Sequence, residues 1–120
     1  MTLLHHVQVS CPTGGEPAVR RFYAGLLGLA EVEKPPELAK RGGVWFRGEG
    51  YELHIGVEAP FAPAAKAHPA FLVVDVDDLA ARLTEAGCAV TWDSKFPGYR
   101  RFHTRDPHGN RVELLGAAGD

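Results

Sequence analysis

Glu52 follows His6 by 46 residues, and Glu113 follows His68 by 45. Imidazole nitrogen and carboxylate oxygen suit a borderline divalent cation such as zinc, nickel, iron or manganese, and two of each on facing strands could form a mononuclear site. Donor type alone does not choose among these ions. His54 complicates the set, because strand alternation puts it on the same face as Glu52, one pleat of about 7 Å away. It is an alternative to Glu52 as fourth ligand, or a hydrogen-bond partner that orients a ligand. His5 is expected to point away from His6, while His103 and His108 stay outside the ligand set.

These side chains need strands to carry them. From His5, the residues Val7, Val9 and Cys11 alternate with His6, Gln8 and Ser10, the period-2 pattern of a strand with His6 on its polar face. Turn residues Pro12 to Gly15 follow. Pro17 then opens a helix in which Val19, Phe22, Tyr23, Leu26 and Leu27 form one apolar stripe, closed by Gly28. The stretch between Glu33 and Gly43, with Pro35, Pro36 and Gly42, reads as a mobile connection. Strands are expected at Val44–Arg47 and Tyr51–Val57; in the latter Tyr51, Leu53, Ile55 and Val57 face one way, and Glu52 and His54 the other.

Pro60, Pro63 and Pro69 mark a linker, after which the order restarts. A strand is expected over His68–Asp75, then a helix with Val76, Leu79, Ala80 and Leu83 on one face, closed by Gly87. Strands Val90–Trp92, Tyr99–Thr104 and Asn110–Leu115 follow, the last two joined by the turn Asp106-Pro107-His108-Gly109. The matched order and the similar intervals between histidine and glutamate indicate a duplication. The expected fold is α+β: two βαβββ repeat units forming a cup-like curved mixed sheet, helices outside, His6, Glu52, His68 and Glu113 converging within. Residues 1–120 form a single domain on this reading, with unit 1 at about 4–58, the linker at about 59–67 and unit 2 at about 68–116.

Composition narrows the partners. A formal net charge of −2 supplies no field for a nucleic-acid backbone or an anionic membrane surface. No segment approaches the roughly 20 apolar residues of a membrane span, and the start lacks the basic and apolar stretches of a secretory signal. With Cys11 and Cys88 far apart and no CxxC pair, both read as buried thiols in a reducing compartment, and a cytoplasmic location is expected.

Three segments carry a resemblance across nearly the whole chain: Leu4-His5-His6-Val7-Gln8, Phe22-Tyr23 with Leu27-Gly28-Leu29, and Asp106-Pro107-His108-Gly109-Asn110-Arg111-Val112-Glu113-Leu114. They resemble the signature segments of the glyoxalase, bleomycin-resistance and extradiol-dioxygenase superfamily, also called vicinal oxygen chelate proteins. The resemblance implies that His6, His68 and Glu113 are metal ligands and that Glu52 is the fourth, in the His-Glu-His-Glu order of glyoxalase I. It further implies a homodimer, a divalent metal ion as cofactor, and lyase or isomerase chemistry through a metal-stabilised enediolate or oxyanion. Glu113 is then the base, with Glu52 second.

Two rival readings follow from the same superfamily: an extradiol-type iron dioxygenase using His6, His68 and Glu113, and a metal-free drug-binding protein of bleomycin-resistance type. Trp45, Phe46, Tyr99, Phe102, Arg47, Arg100 and Arg101 lie near strands that would wall the cup, and Trp45, Arg100 and Arg101 are candidate contacts to a small organic substrate. The chain is shorter than glyoxalase I and shows no residues assignable to a glutathione tripeptide.

Overall fold

A computed structural model describes residues 1–118. The chain divides into two compact units, Met1–Pro63 and a second that begins at Ala64. Each holds one mixed four-stranded sheet and a principal helix, the α+β content expected of two βαβββ units.

The first unit runs β1 (His6–Cys11), α1 (Glu16–Arg20), β2 (Ala30–Val32), α2 (Pro36–Ala39), β3 (Val44–Arg47) and β4 (Glu52–Val57), with sheet order β1-β4-β3-β2. Strand β1 is parallel to β4, a pairing that requires a crossover and obtains it from the helix between them. Beyond Arg20 the helix widens into a π-helical turn over Arg21–Leu26, where the Leu27 N–H reaches back five residues to the Phe22 carbonyl at 3.0 Å. Gly28 then reverses the chain at φ +81°, a backbone angle other residues resist. Val19, Phe22 and Tyr23 of the helix and Val44, Phe46, Leu53 and Ile55 of the sheet are buried as the core. Leu26 and Leu27, at the end of the same stripe, are only partly covered.

The second unit runs β5 (Ala70–Leu72), α3 (Val76–Glu85), β6 (Thr91–Asp93), β7 (Tyr99–Arg105) and β8 (Arg111–Ala117), in sheet order β5-β8-β7-β6. Asp75 caps α3 by accepting the Asp78 N–H on Oδ1 at 2.9 Å. The stripe Val76, Leu79, Ala80 and Leu83 is buried, and so are Phe71, Phe102, Val112 and Leu114 on the sheet. In the β7–β8 turn, Asp106 Oδ1 accepts the N–H groups of His108 and Asn110, and Oδ2 accepts from the Asn110 amide. That network locks the register of the two strands that carry most of the polar side chains described below.

Several boundaries differ from expectation. The strand expected over His68–Asp75 is only Ala70–Leu72; it starts after Pro69, which has no N–H to donate to a ladder. The connection between Glu33 and Gly43 contains the helical turn α2, and Ala30–Val32 forms an edge strand too short to show alternation. Cys11 is buried as expected, but Cys88 is partly exposed; among the described residues neither forms a disulfide. No helix among the described residues is long and apolar enough to cross a membrane.

Candidate functional site

Sheet alternation sets the polar face of the second unit. Register puts His103 of β7 directly opposite Glu113 of β8, with Ala70 of β5 opposite Glu113 on the other side. Arg101 and Asp93, themselves paired across β7 and β6, lie on that same face. Phe102 and Leu114 point to the helix side. His68 stands two residues before Ala70, in the extended segment that leads into β5.

Two imidazoles close on one carboxylate oxygen of Glu113. His68 Nε2 is 2.9 Å from Glu113 Oε1, and His103 Nε2 is 3.3 Å from the same atom. Arg101 holds the other oxygen, with Nη1 at 3.1 Å from Glu113 Oε2, and reaches Asp93 Oδ2 with Nη2 at 3.2 Å. The Glu113 side chain is only 6% exposed and that of His103 13%, so both act in a partly dehydrated setting. Burial raises the Glu113 carboxyl's pKa, but hydrogen bonds from His68 and Arg101 outweigh it and hold the group below the ordinary carboxylate range. Burial pushes the His103 imidazole down, helped by the nearby Arg111 charge.

A divalent ion fits this donor set. One ligand atom each from His68, His103 and Glu113 lies within 4.8 Å of the others, and ligands bound at about 2.0–2.2 Å to one ion stand roughly 3–3.5 Å apart. The tautomer of His68 adds a chemical argument. Its Nδ1 is 2.8 Å from the Lys66 carbonyl, which can only accept, so Nδ1 carries a hydrogen. With Nδ1 protonated, Nε2 either donates to the Glu113 oxygen 2.9 Å away from an imidazolium, as in the hydrogen bond above, or, in the neutral ring, presents a lone pair that a cation would bridge to that oxygen.

The first unit is arranged differently. Glu52 is opposite His6 on β1 and Arg47 on β3, while His54 is opposite Gln8 and Trp45. Glu52 Oε2 receives Arg47 Nη2 at 3.0 Å, and Oε1 is 2.9 Å from His54 Nε2. These two hydrogen bonds, that from His54 first, hold the Glu52 carboxyl below its usual range. The His54 ring is 4% exposed and stacks between His6 (4.1 Å between centroids, 14°) and Trp45 (3.9 Å, 5°). His54 and Glu52 are thus joined side chain to side chain on one face of β4. His6 is exposed and its Nδ1 is 2.9 Å from that of His5.

Register also corrects the equivalence drawn from spacing. His6 stands opposite Glu52, but it is Ala70, two residues after His68, that stands opposite Glu113. Counted from the two histidines, the place of Glu113 in the first unit is held by His54, and the place of His103 by Trp45.

Other candidates separate clearly. Arg100 is turned to the helix side, ion-paired with Asp77 at 2.9 Å and stacked over Trp92 at 4.0 Å, away from the Glu113 face. Phe46 and Phe102 are fully buried core residues. Tyr99 is 38% exposed, its ring against Phe96. His108 lies in the β7–β8 turn. The residue that sequence reasoning left out is His103, and the signal was available: a turn that pairs Arg105 with Arg111 places residue 103 across from residue 113 by counting.

An open depression of about 600 Å³ flanks His103, with Asp93, Lys95, Arg105 and Arg111 in its lining. Its cations outnumber its carboxylates.

The family model described as the Glyoxalase/Bleomycin resistance protein/Dioxygenase superfamily matches residues 4–114. A glyoxalase family protein from Bacillus anthracis is similar at 43% identity and a TM-score of 0.93, covering 98% of this chain and 97% of its own. A lactoylglutathione lyase from Agrobacterium tumefaciens is similar at 22% identity and a TM-score of 0.74, with 97% and 94% covered. An antibiotic binding protein from Streptomyces sp. CB03234 is similar at 24% identity and a TM-score of 0.74, with 98% and 99% covered. The last two show the fold alone. No curated protein matches.

Proposed function

Because the chain belongs to the Glyoxalase/Bleomycin resistance protein/Dioxygenase superfamily, we propose that it is a divalent-metal-dependent enzyme of glyoxalase type, a lyase or isomerase acting on a small organic substrate. The observation that carries this reading is the pair His68 and Glu113: an imidazole nitrogen 2.9 Å from a buried carboxylate oxygen, with the ring's far nitrogen tied to the Lys66 carbonyl. A carbonyl partner of this kind is what fixes the tautomer of a ligating histidine. The resemblance assigns His6 and Glu52 as the remaining ligands. On the same reading residues 1–120 act as one functional domain, in a cytoplasmic homodimer.

An ion held by these residues would supply Lewis-acid polarisation of a substrate carbonyl and stabilisation of negative charge on its oxygen. The chain's own groups do the rest. Glu113, ionised at neutral pH, accepts the proton from the carbon beside that carbonyl, and Glu52 is the second choice for this role. Arg101 keeps the Glu113 carboxylate oriented through Oε2. The cation-rich depression beside His103 suits an anionic substrate, and Trp45 offers a flat apolar contact in the first unit.

A second reading has a specific observation behind it. Two histidines and one carboxylate in His68, His103 and Glu113 are the donor set of non-haem iron oxygenases. Elemental analysis of untagged protein purified without chelator, followed by re-addition of nickel, zinc, manganese and iron, tests both. A stoichiometric ion with isomerase activity supports the first reading, and catechol-dependent oxygen uptake with iron supports the second. Failure to bind any of the four ions would overturn both and leave a metal-free ligand-binding protein.

A further inference from the structure

We propose that His103 is a metal ligand in its own right, so that the second unit by itself supplies a three-donor site, His68, His103 and Glu113, for a divalent cation of the iron, nickel and zinc group. The inference rests on the metal-dependent reading above and names a donor that the superfamily resemblance does not assign.

Three independent parts of the second unit bring the donors together. His68 comes from the segment before β5, His103 from β7 and Glu113 from β8, and the three ligand atoms lie within 4.8 Å of one another. The position of His103 is not adjustable, because the Asp106 and Asn110 turn network sets the β7–β8 register and the register sets His103 across from Glu113. Its Nε2 approaches Glu113 Oε1 at 3.3 Å. That is longer than a charge-assisted N–H···O⁻ bond of about 2.7–2.9 Å, and it is a normal separation for two atoms bound to one ion.

Arg101 supports the assignment from the other side. By engaging Oε2 it leaves Oε1 as the carboxylate atom facing both imidazoles, and its own charge is shared with Asp93. The first unit gives the contrast. The place corresponding to His103 is held by Trp45, which stacks on His54 and offers no donor atom. The duplicated framework therefore has a third ligating atom in one unit and an indole in the other.

The test uses the full chain loaded with Co²⁺ or Cu²⁺. Affinity is measured by titration, and the number of metal-bound imidazoles by X-ray absorption or pulsed electron paramagnetic resonance. His103→Ala and the better-packed His103→Gln are compared with wild type, with circular dichroism to confirm folding. The expected result is one ion per chain in wild type, at least a tenfold loss of affinity in both variants, and a bound-imidazole count lower by one. Unchanged affinity, or weaker affinity with an unchanged imidazole count, would overturn the ligand assignment and leave metal dependence standing. Absence of any bound ion in wild type would overturn both.

Discussion

Arg101 grips Glu113 by the carboxylate oxygen that the imidazoles do not face, with Nη1 3.1 Å from Oε2. Burial alone would favour the protonated acid. The guanidinium, together with His68, reverses that preference and keeps the group ionised and correctly turned.

Arg101→Met is accordingly expected to move the Glu113 titration upward in metal-free protein, since burial would then be opposed by one partner fewer. Carboxyl titration by nuclear magnetic resonance reads this directly. Arg101→Lys should not restore the wild-type curve, because an ammonium lacks the planar fork that spans Glu113 and Asp93. A titration unchanged in Arg101→Met would show that the guanidinium does not control the carboxylate.

Removal of candidate ligands should give a graded series. Glu113→Ala is expected to reduce metal affinity by more than about a hundredfold, beyond the 10–100-fold typical of residues that only orient a ligand. His6→Ala should weaken binding less, and His5→Ala should leave it at the wild-type level. Metal content after dialysis against a weak chelator separates the three; equal retention in all of them counts against the assigned donors.

Glu16 links acidity to folding. Its Oε2 accepts the Gly43 N–H at 3.0 Å, joining the start of α1 to the chain entering β3. That backbone hydrogen bond, assisted by the charges of Arg20 and Lys34, lowers its folded pKa. The stabilisation is thus fully present above the unfolded carboxylate pKa of about 4.3 and is lost as pH falls through the lower folded value. Urea denaturation should find Glu16→Gln less stable than wild type at pH 6, with the gap narrowing as pH falls below the unfolded carboxylate pKa. A gap independent of pH would exclude the charge as its source.

Phe102 should carry a large share of the second unit's core energy. It is fully buried, its ring 5.2 Å from that of Trp92. Phe102→Ala is expected to cost about 3–5 kcal/mol, whereas Leu72→Ala, at a residue 72% exposed, should stay within about 0.5 kcal/mol of wild type. Equilibrium unfolding of both variants checks the difference.

The parts of this architecture that repeat with a fixed period were readable before any coordinates. Period-2 alternation placed Glu52 and His54 on one face of β4 and Leu53 and Ile55 on the other, as found, and the 3.6 period picked out the buried stripe of α3. The superfamily followed from short segments whose turns and strand starts have little freedom. What spacing did not convey was register between strands distant in sequence. Nearly equal intervals from histidine to glutamate suggested equal geometry, yet each unit sets its parallel pairing separately, and the two differ by one pleat. His103 was passed over for a related reason: its significance lies in a cross-strand neighbour, and a residue's own surroundings in sequence do not announce that. The edge strand β2 escaped because its three residues display no period, and β5 was expected but longer than found.

The ring stack of the first unit has a practical consequence. Trp45 lies flat on His54 at 3.9 Å, while the chain's other indole, Trp92, lies beneath the Arg100 guanidinium. Indole emission responds to the ring stacked on it, and the far side of that ring, His54 Nε2, lies 2.9 Å from Glu52 Oε1. The fluorescence of Trp45, isolated in a Trp92→Phe background, is therefore an internal gauge of whatever engages Glu52, with no label and no knowledge of the substrate required.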